Sequence, residues 1–287
     1  SILVLCSIAV MNRKTVLSGA AKRTACLLAC IVLVNMISLQ TTFAASPNGG
    51  IITDLMLGDN NYSTIVYNNS VGYPSPEAND IVQTSEGFIW IGSYSGLIRY
   101  DGRNFEVTDP STGIISTGSL WVDKRDRLWI GTNDKGLALM ENGKFRIWGE
   151  DEGLSSNKVN DIAESDDGNI YACTPSGVTM VTPDMKLVQV DDPRVKGEFI
   201  YGICSGSDGL VYCMSAESDL ISLKDGKVVE YVSHKETSIQ NITCIYQDPD
   251  QKGVLYVGTG EDKIYHGSLD QLRGKAEVFD ITPLIDV

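Results

Sequence analysis

The residues with which this chain could do chemistry are two histidines, a handful of cysteines and a surplus of carboxylates. His234 and His266 have no partner pattern around them, so both are expected in exposed loops or outer strands. Cys173, Cys204, Cys213 and Cys244 form no C-x-x-C pair. No histidine stands at metal-ligand spacing from any of them, which argues against a structural zinc site and for small buried thiols. The sequence contains no G-x-S-x-G, H-E-x-x-H or Walker-type glycine loop. Asp166-Asp167, Asp191-Asp192, Asp248, Asp250 and Glu261-Asp262 fall mostly where hairpin turns are expected, and there Asp accepts backbone hydrogen bonds. The stretch DPDQKG (248–253) lacks the ligand spacing of a calcium loop. A paired acid for glycoside cleavage would need two carboxylates to converge from different parts of the fold. The expectation is no catalytic residue, no cofactor and no metal in this segment.

Charge narrows the partners. The formal net charge is −14, and all four basic residues before position 46 (Arg13, Lys14, Lys22, Arg23) come without an acid, so the remainder is more acidic still. Nucleic acid and anionic lipid, which need Lys and Arg, are disfavoured. Residues 11–45 read as a signal peptide or N-terminal anchor. Met11 and the basic residues lead into ACLLACIVLVNMISL (25–39), then into TTFAAS (41–46), whose small residues suit cleavage. The apolar stretch is shorter than the ~20 residues that span a bilayer comfortably, which favours cleavage. The segment 1–10 reads as upstream sequence.

The elements that would position any site come from an internal repeat. The stretches GFIWIGSYSGLIRYDG (87–102), DRLWIGTNDKGLALMENG (126–143), GNIYACTPSGVTMVTPD (168–184) and GLVYCMSAESDLISLKDG (209–226) align, with a looser fifth, GVLYVGTGEDKIYHGSL (253–269). Their aromatic anchors are Trp90, Trp129, Tyr171, Tyr212 and Tyr256, separated by 39, 42, 41 and 44 positions. Ile81, Leu120, Ile162 and Ile203 each precede their aromatic by nine residues. A period near 40 with this pattern predicts an all-β fold, a β-propeller of four-stranded antiparallel blades. In the first unit the strands are expected at 80–84, 88–93, 97–101 and 104–108. The blades are expected at about 79–108, 118–148, 159–190, 199–232 and 241–281, within a partial propeller domain over 46–287.

The units resemble the two-component regulator propeller repeat. That family shows an inner strand ending in Asp/Ser-x-x-Gly, an aromatic-apolar-Gly-Ser/Thr strand, then Gly-Leu and a Tyr-Asp-Gly turn. NDIVQTSEGFIWIGSYSGLIRYDGRNFEV (79–107) and LWVDKRDRLWIGTNDKGLALMENGKFRIW (120–148) match best, and EGLSSNKVNDIAESDDGNIYACTPSGV (152–178) keeps the Gly-Leu-x-Ser-Asn lead-in. The fourth and fifth units depart, with Asp219-Leu220 and Lys263-Ile264 in place of Gly-Leu and Cys213-Met214 in place of Gly-Thr. The resemblance implies seven blades, of which five are countable, with residues 64–70 as an outer strand that closes the ring against blades beyond this chain. It also implies the exported sensor of a bacterial transmembrane signalling protein, on the extracellular or periplasmic face of the cell membrane. The histidine kinase or diguanylate cyclase output domain would lie outside this chain, and the full-length protein could dimerise. The competing expectations are a secreted propeller lyase or hydrolase acting on polysaccharide, and a protein-interaction scaffold.

If a small ligand binds, the expected place is the face made by the d–a and b–c loops, around the channel mouth. The residues expected there are Ser93, Tyr94, Asn133, Asp134, Glu198, Phe199 and Glu217. Aromatic and polar side chains together at a concave mouth suit a carbohydrate or a peptide.

Overall fold

In the computed structural model the residues described are 66–69 and 72–280. The segments 1–10 and 11–45 lie outside them. The described chain folds into five four-stranded antiparallel sheets. Strands β1 (Asp80–Gln83), β2 (Ile89–Ser93), β3 (Gly96–Tyr100) and β4 (Phe105–Val107) form the first. The second holds β5 (Thr117–Val122), β6 (Leu128–Thr132), β7 (Leu137–Glu141) and β8 (Lys144–Trp148). The third holds β9 (Asp161–Glu164), β10 (Ile170–Thr174), β11 (Gly177–Val181) and β12 (Leu187–Gln189). The fourth holds β13 (Ile200–Ser205), β14 (Val211–Ser215), β15 (Leu220–Lys224) and β16 (Lys227–Val232). The fifth holds β17 (Ile242–Gln247), β18 (Val254–Thr259), β19 (Lys263–Ser268) and β20 (Glu277–Asp280). One-turn helices α1 (His234–Thr237) and α2 (Leu269–Leu272) follow β16 and β19. No helix among the described residues is long and apolar enough to cross a membrane.

The aromatic anchors occupy one register position. Val82 pairs with Trp90, Trp121 with Trp129, Ala163 with Tyr171, Cys204 with Tyr212 and Tyr246 with Tyr256. Side chains alternate faces along a strand, so all five anchors point the same way around the series. Trp90 packs with Leu120, Leu128 and Ile130 of the next blade, and Trp129 with Ile162 and Ile170. Tyr171 packs with Ile203 and Cys213, and Tyr212 with Ile245, Leu255 and Val257. Each seam is therefore packed by one large ring against the smaller side chains of its neighbour. Inner strands adjoin in series: β1 and β5, β5 and β9, β9 and β13, β13 and β17.

The first blade's other face is covered by the chain that leads into it. Tyr67 and Tyr73 meet Phe105 edge-on at 5.4 and 5.3 Å, and the Tyr67 and Tyr100 hydroxyls are 2.9 Å apart. An outer strand was expected at 64–70. Residues 66–68 carry no regular structure and Asn69 sits in a 3-10 turn, while 64, 65 and 70 lie outside the described residues. The physical reason is in the tyrosines: Tyr67 and Tyr73 lay their rings on the apolar face of blade one, and ring packing needs no backbone ladder.

Both histidines also differ from expectation. The His266 side chain is only 10% exposed, lies on β19, stacks on Tyr256 at 4.3 Å, and places Nε2 2.9 Å from the Asp248 carboxylate. His234 Nδ1 lies 2.8 Å from Asp219. Partners 15 and 18 residues away are brought beside them by strand pairing, which local sequence does not display.

Candidate functional site: the mouth formed by the inner-strand ends

The loops of this face are built by one device in every blade. A hydroxyl at or near the end of the second strand locks the turn to the third. Ser93 Oγ donates to Gly96 O (3.0 Å), Thr132 to Gly136 (2.8 Å), Thr174 to Gly177 (2.9 Å) and Thr259 to Lys263 (3.2 Å). In the fourth blade Ser215 Oγ accepts from the Asp219 amide (3.0 Å). This is the physical content of the Gly-Ser/Thr motif. Gly136 shows why glycine stands at the entry to the third strand: φ is +91°, and a Cβ there would stand 2.1 Å from Trp148 O. Where the fourth and fifth units lose that glycine, Ser218 (φ 68°) and Asp262 (φ 57°) carry the left-handed conformation instead.

Inside this rim stand residues in the first three positions of the inner strands. Register places Asp80 opposite Gly92, Ser119 opposite Gly131, Asp161 opposite Cys173, Gly202 opposite Met214 and Cys244 opposite Gly258. The two carboxylates repeat one arrangement across alternate seams. Asp80 accepts from its neighbour Ile81 N (2.7 Å) and, in the next blade, from Leu120 N (2.7 Å). Asp161 accepts from Ile162 N (2.8 Å) and, in the next blade, from Ile203 N (2.9 Å). The preceding residues reinforce the same seams: Asn79 Nδ2 donates to Thr117 O and Asn160 Nδ2 to Ile200 O, both at 2.8 Å.

Removal from water pushes the Asp80 carboxyl up to about 6, against the backbone donors that favour its charge. Burial pushes Asp161 up to about 7 against the same kind of donors, and the Asp80 charge adds to the rise. Between them in the series, Ser119 presents a buried hydroxyl with no hydrogen-bond partner. Two carboxyls that titrate near neutrality can accept hydrogen bonds from hydroxyls or ammonium groups, and can give or take a proton.

The residues expected from sequence divide into two groups. Ser93 is fully buried and is spent on its turn, so it is no ligand contact. Asn133 is half-buried and donates to Ser116 Oγ (2.8 Å), which ties two loops of its blade. Tyr94 is 62% exposed, and Asp134, Glu198 and Glu217 are exposed. No hydrogen bond or ion pair joins Tyr94, Asp134 and Glu217 to one another among the described residues. Phe199 is brought together with Tyr201, the rings lying 6.4 Å apart at 25°. Tyr201, Asp80 and Asp161 were missed. The signal for the aspartates was present in the recurrence of Asn-Asp-Ile at 79–81 and 160–162, two repeats apart.

Among the described residues no group of His, Cys, Asp and Glu is arranged to hold a metal ion. Among the described residues no disulfide joins the cysteines, and burial pushes the Cys173 and Cys204 thiols up, away from reactivity.

No family model matches the sequence, and no curated protein matches it. Solved structures do. A streptogramin B lyase is similar at 17% identity and a TM-score of 0.59, over 74% of this chain and 72% of the lyase. An extracellular domain described as part of a hybrid two component system of B. thetaiotaomicron is similar at 23% identity and a TM-score of 0.58, over 70% of this chain. A second B. thetaiotaomicron extracellular domain, described as part of a one component system, gives 17% identity and a TM-score of 0.56 over 72% of this chain. The matched region spans 30% and 29% of those two domains. What this likeness and the five radially successive sheets establish together is the fold, a β-propeller of four-stranded antiparallel blades.

Proposed function

We propose that this chain is the ligand-receiving propeller of an exported signalling protein, whose output domain belongs to sequence outside it. The observation that carries the reading is the placement of Asp80 and Asp161. Each carboxylate stands near the start of an inner strand and accepts a backbone N–H from the following blade. A ligand that hydrogen-bonds to these carboxylates competes for the same oxygens that tie the seams, so occupancy is felt as a change in blade-to-blade bonding. A ligand moves such an equilibrium only by its difference in affinity for the two arrangements. Carbohydrate hydroxyls or a peptide ammonium would donate to the carboxylates, and the exposed Tyr94, Phe199 and Tyr201 offer faces for stacking. The two bacterial extracellular domains of like fold support an extracytoplasmic setting.

Calorimetric titration with a panel of neutral oligosaccharides and short peptides tests the reading. One class is expected to bind, and Asp80→Asn with Asp161→Asn to weaken it by about tenfold or more, the loss of hydrogen bonds to charged groups. A ligand that binds the double variant unchanged, or a panel without a binder, would refute it.

A second reading, a secreted lyase or hydrolase, draws on Asp219 and His234. The Asp219 carboxylate takes the His234 backbone N–H (2.9 Å) and its ring Nδ1 (2.8 Å), and Tyr231 donates to it as well (2.5 Å). A ring held through Nδ1 leaves Nε2 as a base, on a side chain that is 28% exposed. Turnover of a streptogramin or polysaccharide that disappears in His234→Ala would favour this reading over sensing.

A further inference from the structure

The first two blades differ at one buried donor. In the second blade the Trp129 indole N–H donates to Asp123 Oδ2 at 2.9 Å, and Arg127 joins the same carboxylate through Nε and its terminal nitrogen, both at 2.7 Å. Register puts Trp90 where Trp129 stands and Thr84 where Asp123 stands. Thr84 has no carboxylate to offer, and its hydroxyl is turned to Phe88 O at 3.5 Å. The Trp90 indole N–H is left buried without any partner, on a residue only 8% exposed. Buried donors are normally paired, so an orphan at a repeat position whose sister is paired calls for an acceptor from elsewhere.

A cleft of about 470 Å³ opens at this place, between the turns of blades one and two. Trp90, Thr84 and Met140 line it, with Arg125, Glu86 and Glu141. Arg127 and Asp126 reach it too, but Arg127 is held by Asp123, and Asp126 is held by the Ser85 amide (2.7 Å) and hydroxyl (2.5 Å). No hydrogen bond or ion pair engages the side chains of Arg125, Glu86 or Glu141 among the described residues. The cleft therefore sets the buried Trp90 indole N–H at its wall beside one available cation, Arg125, and two available carboxylates, Glu86 and Glu141, with the Asn142 side chain at the same wall. A plain anion would meet the two glutamates, and a plain cation would leave Trp90 and Arg125 unanswered.

We propose that this cleft is a binding site for a free α-amino acid. Its carboxylate takes from Trp90 and Arg125 the kind of hydrogen bonds that Asp123 takes from Trp129 and Arg127 one blade on. Its ammonium faces Glu86 and Glu141. The cleft lies at the first-to-second strand turns, at the opposite ends of the inner strands from Asp80 and Asp161, so it is separate from the mouth and does not depend on that reading.

The indole N–H signals of the four tryptophans in ¹⁵N-labelled protein provide the test, with Trp90 assigned through Trp90→Phe. Glycine and glutamine are expected to move the Trp90 signal and leave that of Trp129 in place. Acetate, methylammonium and galacturonate serve as the carboxylate-only, ammonium-only and acidic-sugar probes and are expected to bind about tenfold more weakly or not at all. Thr84→Asp, which supplies the missing acceptor within the chain, should bring the Trp90 signal toward that of Trp129 and abolish the response. Arg125→Gln, at an exposed position, should weaken glutamine binding by about tenfold. A Trp90 signal unmoved by both amino acids, or amino-acid binding unchanged in Arg125→Gln, would overturn the site. Galacturonate or acetate acting as strongly as glutamine would overturn the assignment of a zwitterion.

Discussion

Replacing Trp129 and Trp90 by Phe removes the same atoms from the same register position in two blades, and the two costs should differ. Trp129 is 1% exposed, lies nearly parallel to Trp148 with ring centroids 5.7 Å apart, and donates to a carboxylate that is itself buried. Burial works against the charge of Asp123, but the Trp129 N–H and the Arg127 donors outweigh it and hold the carboxyl below the usual range. A hydrogen bond to a charged group is worth about 1.5–3 kcal/mol. Asp123 keeps Arg127 and two backbone amides after the change, which puts the loss toward the lower end. The Trp90 N–H has no partner to lose, so its replacement costs only packing. Trp129→Phe is therefore expected to exceed Trp90→Phe by about 1–2 kcal/mol. Trp129→Ala should reach about 3–5 kcal/mol, as for large aromatic truncations in cores. Urea unfolding followed by circular dichroism measures the pair, with the difference taken from midpoints at a shared slope. Equal costs, or a larger cost at Trp90, would show that the Asp123 clasp does not bear on the seam as described.

Three further outcomes are expected. Asp80 and Asp161 bind protons more tightly folded than unfolded, so their contribution to stability is largest below the unfolded carboxylate range and falls as pH rises through about 4 to 7. Thermal melts across that window should show a flatter pH slope in Asp80→Asn with Asp161→Asn than in the unaltered chain. His266→Ala should cost about 2 kcal/mol or more, because it leaves the buried Asp248 carboxylate short of a donor, and denaturation should separate it from a surface substitution such as Lys186→Ala. Ser93→Ala should cost about 1 kcal/mol through its turn and leave ligand binding unchanged, measured by denaturation and titration together.

The fold was legible in the sequence because a blade's needs are local. A hairpin requires a left-handed residue at a set offset, a buried strand requires a continuous apolar run, and a widening seam requires one large ring per period. Trp90, Trp129, Tyr171 and Tyr212 display all of this within stretches of about forty residues, and Ser93 and Thr132 carry the turn lock within four. The roles of those same residues were less legible, since Ser93 looks alike as a ligand contact and as a turn lock until its burial is known. What the tertiary structure alone decided are pairings across seams and across strands: Asp80 with the Leu120 amide, Ser85 with Asp126, His266 with Asp248. Their partners stand 40, 41 and 18 residues away, and no local pattern names them. The orphaned Trp90 N–H belongs with these: the change from Asp123 to Thr84 is visible in the aligned repeat, but only packing shows that nothing else reaches the indole. A buried polar atom must find its partner wherever the chain brings one, and that is a property of the assembled blades, not of the repeat.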